Sequence, residues 1–467
     1  MSARTRIGAL ALTLVAFAWL YASRDRINTS AFGYDFVAFY CGASIASEGG
    51  DPYRTEPLRT CEHRVGRQFR PDSRLVVPAP LPGYALAFVA PLTRLSYPRA
   101  LAFWSVLLLL AYAVCVVTVI RLSGLSLPVV IAATALSLGI VSLFLGQLVP
   151  IALAALCLAA TAVERKRPSE AAAWCALALL EPHLALPAIA ALFVARREMR
   201  APLAIALGAL VALSFAFLGP ALNFEYVARV LHAQVASEIA RSDQLSPVAL
   251  AYHLGLNENV AVTLGSATYV AAAALGVALA LAATRRGGAR AALVLVPPAI
   301  ALLGAPYIHV QHLAFALPAA LFLLGRTEWK APAMLAVFLL AIPWIVPYDA
   351  TPLAPFAALA VAVLACGLLG LSPLRGAGLG LAAAALVFLI QASLAPHVPP
   401  PPSAYAAISG TDLAQADWRI LIAAGFRDDV PLLTALALPT WIALIALVVA
   451  AIAAAKKHAF LRASAAH

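Results

Sequence analysis

Charge is what this sequence has least of. Only 11% of its 467 residues are Asp, Glu, Lys or Arg, where a soluble domain carries about 25%. That shortfall excludes a water-soluble enzyme of this length, a disordered chain and a nucleic-acid binder, even though the net charge is +11 and the pI is 9.6. Motifs for nucleotides and for common nucleophiles are missing too. There is no P-loop, no Gly-x-Gly-x-x-Gly after a strand, no Gly-x-Ser-x-Gly and no His-Glu-x-x-His. An activated substrate for this chain is therefore not expected to be a cytosolic nucleotide. No internal repeat is detectable.

What is present is apolar: 63% of the residues are hydrophobic and the mean hydropathy is +0.91. At about 20 residues per span there is room for roughly a dozen membrane helices. Met1 to Arg6 precede an apolar run, 7–22, read as an uncleaved first span rather than a signal peptide. Further runs recur at 98–120, 127–145, 148–163, 170–195, 201–219, 259–283, 291–304, 313–325, 331–347, 353–371, 376–395 and 432–455. The reading is an all-α polytopic protein, residues 1–467 forming a single membrane domain.

The breaks between runs carry Arg165-Lys166-Arg167, Arg196-Arg197 with Arg200, Arg285-Arg286 with Arg290, Arg326 with Lys330, and Lys456-Lys457. Short basic loops stay in the cytoplasm, which predicts cytoplasmic N- and C-termini. Eighteen of the 32 basic and four of the 21 acidic residues then fall inside, with all four lysines. The outer face keeps a slight negative balance, so the high pI reports orientation and not a polyanionic partner. The same map puts a first outer loop at 23–80, a second at 220–258 and a last at 396–431, with 399–402 a stiff proline spacer. The proline-bounded stretch 80–93 is expected to be re-entrant or surface-lying. The run 170–195 is interrupted by Glu181-Pro182-His183, predicting two half-helices.

Ionisable residues near membrane depth are functional candidates. Asp35 follows the first span in Gly33-Tyr34-Asp35-Phe36 and is flanked by aromatics, Tyr34 and Tyr40 among them. Partial desolvation there raises its basicity, as a general base requires; a plain helix cap is the competing reading. Glu181 and His183 either bind a ligand or pair with each other at the helix break. His309 and His312 would share one face if helical, and with Tyr307 and Gln311 they suit hydrogen bonding to a polar substrate. No third metal ligand is apparent in the sequence, so no metal and no cofactor are expected. Cys41 and Cys61 share the first outer loop and could bridge in an oxidising compartment, although spacing alone does not show it. Cys115, Cys157, Cys175 and Cys366 read as small core residues.

In their order these elements resemble glycosyltransferase family 87. Asp35-Phe36 with Phe39-Tyr40, then Gly50-Asp51-Pro52-Tyr53, are similar to the family's opening. The proline-bounded stretch 80–91, Gly146-Gln147 at the start of an apolar span, Glu181-Pro182 in the broken span, and Pro306 to His312 follow. The resemblance covers about residues 7–325. It departs at Glu181, where the family often has Lys, and at Ala79-Pro80-Leu81-Pro82, where it usually has Tyr-Pro-Pro.

The resemblance implies a GT-C-like bundle of about 12–14 transmembrane helices with broken helices and a large first extracytoplasmic loop. It implies a membrane mannosyltransferase taking its sugar from polyprenyl phosphate. The acceptor would be a lipid or glycan on the outer face of a bacterial plasma membrane, with inversion. Asp35 would be the base; Tyr34, Tyr40, Gln147, Glu181, His183, Tyr307, His309, Gln311 and His312 would hold substrate, and Arg64, Arg67 and Arg70 the phosphate. A transporter or flippase of a lipid-linked sugar, a related sugar transferase and a non-catalytic member are the alternatives.

Overall fold

The computed structural model describes residues 32–66, 75–241, 244–285, 289–344, 353–393, 412–425 and 430–464. The first span at 7–22, Arg67, Arg70 and the proline tract at 399–402 lie outside them. The described residues are almost wholly helical and contain no strand. In order the helices are α1 Tyr34–Ser47, α2 Thr55–Val65, α3 Gly83–Val89, α4 Tyr97–Ser123, α5 Leu127–Leu145, α6 Val149–Glu164, α7 Pro168–Ala178, α8 Pro182–Ala195 and α9 Arg197–Ile239. There follow α10 Pro247–His253, α11 Glu258–Arg285, α12 Ala292–Gly304, α13 His312–Arg326, α14 Ala331–Leu340, α15 Ala354–Leu368, α16 Pro373–Ser393, α17 Ala414–Gly425 and α18 Val430–Ser464. Among these, α4, α5, α9, α11 and the Thr434–Lys456 part of α18 are long and apolar enough to cross a membrane, and shorter apolar helices stand between them. The chain is an all-α polytopic membrane protein.

Sequence punctuation sets the helix ends. Helix α4 has Pro98 in its first turn, where the missing N–H costs nothing, and stops at Gly124 with φ 73°. It presents Phe103, Val106, Leu109 and Leu110 outward, the apolar face a lipid-facing helix needs. Helix α6 is apolar on every side and thirteen of its sixteen residues are buried, so it sits inside the bundle. Close helix approach relies on small residues, as membrane packing does: a Cβ on Gly304 would overlap the Thr268 carbonyl of α11.

Several helices are irregular. Helix α5 widens into a π-turn over Ala135–Val141, where Ser142 Oγ donates to the Ser137 carbonyl at 3.0 Å. Helix α9 runs on past residue 219 through much of the segment 220–258, which is mostly helical rather than irregular. It kinks at Gly219-Pro220, with Gly219 at φ 72°. The Asn223 amide repairs the break by donating to the carbonyls of Gly219 (2.7 Å) and Ser214 (3.0 Å). The stretch 80–93 forms α3 and a 3₁₀ turn, Ala90–Arg94, too short to span.

The segments sort into two ends. At one, Arg326 Nη2 donates to the Leu122 carbonyl at 3.0 Å, and Glu164 accepts from the Ala291 N–H at 2.7 Å. At the other, Arg54 pairs with Glu225 at 2.7 Å and bridges in antiparallel fashion to Leu413, while Arg419 pairs with Glu258. Tyr53 donates to the Leu81 carbonyl at 2.9 Å, and buried Glu62 accepts from the Val77 N–H at 2.9 Å. Burial raises the Glu62 carboxyl well above the usual range.

A disulfide joins Cys41 of α1 to Cys61 of α2. It closes a 20-residue separation, for which chain entropy gives about 3 kcal/mol. Unreduced, denatured protein is therefore expected to label at four of its six cysteines, and at all six after reduction. Cys41→Ala with Cys61→Ala is expected to lower the unfolding midpoint in detergent, and an unchanged midpoint would contradict the stabilising role.

Candidate active site

The start of α1 and the end of α5 meet through two glycines in left-handed conformation. Gly33 has φ 74° and its N–H donates to the Phe144 carbonyl at 2.8 Å; Gly146 has φ 75° and ends α5. A Cβ on Gly146 would lie 2.8 Å from Phe36 Cβ, so only glycine permits this approach. The Gly146 carbonyl, freed from the helix ladder, accepts from Trp104 Nε1 at 2.9 Å. Phe36 stacks on Trp104 and Tyr97, with ring centroids 5.0 and 6.0 Å away. This clamp delivers the Gln147 amide to Asp35: Nε2 donates to Oδ2 at 2.6 Å.

Asp35 lines a cavity of about 910 Å³. Burial pushes its carboxyl up to about 6, while the Gln147 hydrogen bond, then His309 and Arg241, keep it from rising further. Among the described residues no hydrogen bond is made to its Oδ1.

Two further clusters line the cavity. Helices α7 and α8 break at Leu179 to Glu181, as the Glu-Pro-His triplet predicts. Tyr84 donates to the freed Leu179 carbonyl at 2.9 Å, and Tyr269 donates to the His183 carbonyl. The His183 ring contacts Tyr307 at 5.6 Å and His312 at 5.0 Å, and its Nδ1 lies 3.8 Å from Glu181 Oε2. The second cluster centres on buried Glu238, which accepts from Gln234 (2.8 Å), Gln244 (3.1 Å) and His309 Nε2 (3.0 Å), with Arg241 Nε at 3.7 Å. Gln244 Oε1 in turn holds the Ile308 N–H at 2.8 Å.

Most of the sequence candidates converge. Tyr34, Asp35, Gln147, Glu181, His183, Tyr307, His309, Gln311 and His312 all line this one cavity. Tyr40 does not; it is buried against Phe36 and Tyr97 and donates to the Leu95 carbonyl at 2.9 Å. Arg64 is exposed on α2 away from the cavity, because α2 turns its apolar side, not its basic one, toward the bundle. His309 and His312 do not share a helical face. His309 precedes the first turn of α13 and faces Glu238, whereas His312 opens that turn and faces His183. Missed from the sequence were Glu238 and Arg241, whose i, i+3 pairing late in an apolar helix is the signal that would have found them.

The Gly146 clamp makes a prediction. Gly146→Ala adds left-handed strain and a clash with Phe36, for an expected cost of about 1–3 kcal/mol. Gly124→Ala, at φ 73° with open space around it, carries the strain alone and is the control. Equal falls in unfolding midpoint for the two variants would mean that the clamp is not tightly packed.

No curated protein and no solved structure is similar enough to match this chain. The sequence model of glycosyltransferase family 87 matches residues 82–306, just under half the chain. That stretch contains Gln147, Glu181, His183, Glu238 and Arg241 and stops short of Tyr307. Over that stretch the chain is similar to glycosyltransferase family 87.

Proposed function

We propose that this protein transfers a sugar, mannose being the expected one, from a polyprenyl-phosphate donor to a lipid or glycan hydroxyl. The observation that carries the proposal is the two-natured cavity. One end holds Asp35 with its Gln147 partner; the other wall is made of Leu186, Val211, Phe215, Phe224, Val227 and Leu231, which remain exposed, Phe224 by 68% and Val227 by 66%. A donor with an isoprenoid tail and a charged head fits that division, since apolar area facing lipid needs no protein cover.

The acceptor hydroxyl gives its proton to Asp35 as its oxygen attacks the anomeric carbon. The bond from that carbon to the phosphate oxygen breaks, and polyprenyl phosphate leaves with the electron pair. Attack from the face opposite the phosphate inverts the centre. Phosphate is a good leaving group without protonation, so one carboxylate suffices, unlike the pair used in glycoside hydrolysis. Among the described residues the guanidinium lining the cavity is that of Arg241, which joins Arg64, Arg67 and Arg70 as a candidate for the phosphate.

The proposed setting is a bacterial plasma membrane with both termini cytoplasmic and the site extracytoplasmic. The basic-loop pattern supports that orientation, and the disulfide beside the site suits an oxidising compartment. A transporter would line a path across the membrane with polar groups; here they gather at the cavity end built by the starts of α1, α8 and α13 and the end of α9.

The test is sugar transfer from labelled polyprenyl-phosphate mannose to native lipid extract in membranes. Asp35→Asn is expected to lower the rate about 100- to 10,000-fold, the usual worth of a general base, with normal membrane expression. Full activity in that variant would overturn the assignment. Because Asp35 must be ionised to act, wild-type activity is expected to rise about tenfold per pH unit below a midpoint near 6 and to level off above it. Gln147→Ala removes a donor that stabilises the carboxylate, so the midpoint should move up by about 1–2 units.

A further inference from the structure

Three groups in the cavity have ligand chemistry that the transfer step does not use. Glu181, from the turn after α7, His183, in the first turn of α8, and His312, at the start of α13, bring one ligand atom each to within 4.8 Å of one another. All three are poorly satisfied. The Glu181 carboxylate accepts no hydrogen bond among the described residues and has His183 Nδ1 at 3.8 Å. His183 Nε2 is buried without a partner. The His312 ring has one hydrogen bond, from the His309 N–H to Nδ1, and at 3.4 Å it is weak. Buried polar atoms left this way are costly, and a ligand in their midst would repay them.

The charge balance points the same way. Among the described residues, the carboxylates lining the cavity are Asp35, Glu181 and Glu238, against the one guanidinium of Arg241. Arg241 lies 3.7 Å from Glu238, so its charge is largely matched. Among the described residues the polar end therefore has more negative than positive side chains, and an anionic head entering it would meet Asp35 and Glu181. A divalent cation beside Glu181 reverses that sign.

We propose that Glu181, His183 and His312 bind one divalent first-row transition ion at the polar end of the cavity. Two imidazoles and one carboxylate select such an ion over Mg²⁺ or Ca²⁺, which take oxygen ligands. Ligands at about 2.1 Å from a tetrahedral ion stand about 3.4 Å apart, so modest side-chain rotation closes the set. Three protein ligands leave a position open, and a donor phosphate oxygen suits it. The second role rests on the transferase reading; the binding does not.

The test uses tag-free, chelator-stripped full-length protein in detergent, titrated with Zn²⁺ and with Co²⁺ as an absorbing probe, Mg²⁺ serving as the competitor. The expected result is about one ion per chain, undisturbed by millimolar Mg²⁺, with visible Co²⁺ bands of mixed nitrogen and oxygen ligation. Glu181→Gln, His183→Asn and His312→Asn should each weaken Zn²⁺ binding at least ~100-fold, while His232→Asn, an exposed histidine, should leave it unchanged. Should a variant fail to fold, wild-type protein still decides: Zn²⁺ is expected to protect His183 and His312 from diethyl pyrocarbonate, read by mass spectrometry. No stoichiometric binding, binding indifferent to all three substitutions, or no protection would each overturn the site. Ion binding without sugar transfer would overturn the transferase reading and leave the site standing. Full-rate transfer by stripped protein would overturn the ion's part in holding phosphate and leave the transferase reading intact.

Discussion

A backbone group released from a helix at membrane depth has no water to turn to, so the protein itself must supply its partner. Much of this structure follows from that constraint. The carbonyl of Gly146 goes to Trp104, that of Leu179 to Tyr84, that of His183 to Tyr269, and that of Gly219 to Asn223. The Gly304 carbonyl takes Thr268, Ala305 takes Ser246, and the Ile308 N–H takes Gln244. Apart from the Asn223 repair inside α9, each ties a break to another segment. Tyr84, Tyr269 and Asn223 also line the cavity, so the groups that mend the breaks also wall the site that the breaks create.

Breaking helices has a second consequence. A side chain at a break can face inward from the end of a helix rather than from its flank. Asp35, Gln147, Glu181, His183 and His312 all sit within a residue or two of a helix terminus. Their own helices are apolar and need few polar neighbours elsewhere. The carboxyl of Asp35 is consequently desolvated by protein while keeping one strong donor, which raises it to a basicity useful near neutral pH without neutralising it.

The segments between the long apolar helices form a scaffold rather than a fringe. Arg54, Tyr53 and the Cys41–Cys61 link tie α1 and α2 to the segment before α3, to α9 and to the chain entering α17. This holds the start of α1, and with it Asp35, against several elements at once. Arg54 thereby serves packing and ion pairing, while Arg241, 3.7 Å from Glu238, is the arginine among the described residues that lines the cavity.

The sequence by itself determined the membrane class, the helical content and the break at Glu181-Pro182, because hydropathy and proline act locally and leave their mark in the residue order. Asp35, Glu181, His183, Tyr307, His309, Gln311 and His312 were legible as candidates for the same reason, polar residues in apolar surroundings standing out, whereas Gln147 was legible only through the family resemblance. Their convergence was not legible, since it depends on how close two helix ends can come. That distance is set by Gly33 and Gly146 against Phe36, a steric matter between segments more than a hundred residues apart. Tertiary structure alone decided that Tyr40 packs in the core, that Arg64 faces away, that Glu238 and Arg241 enter, and that His312 meets His183 as well as its chain neighbour His309. Spacing along a chain fixes neighbours on one helix; only packing fixes neighbours across several.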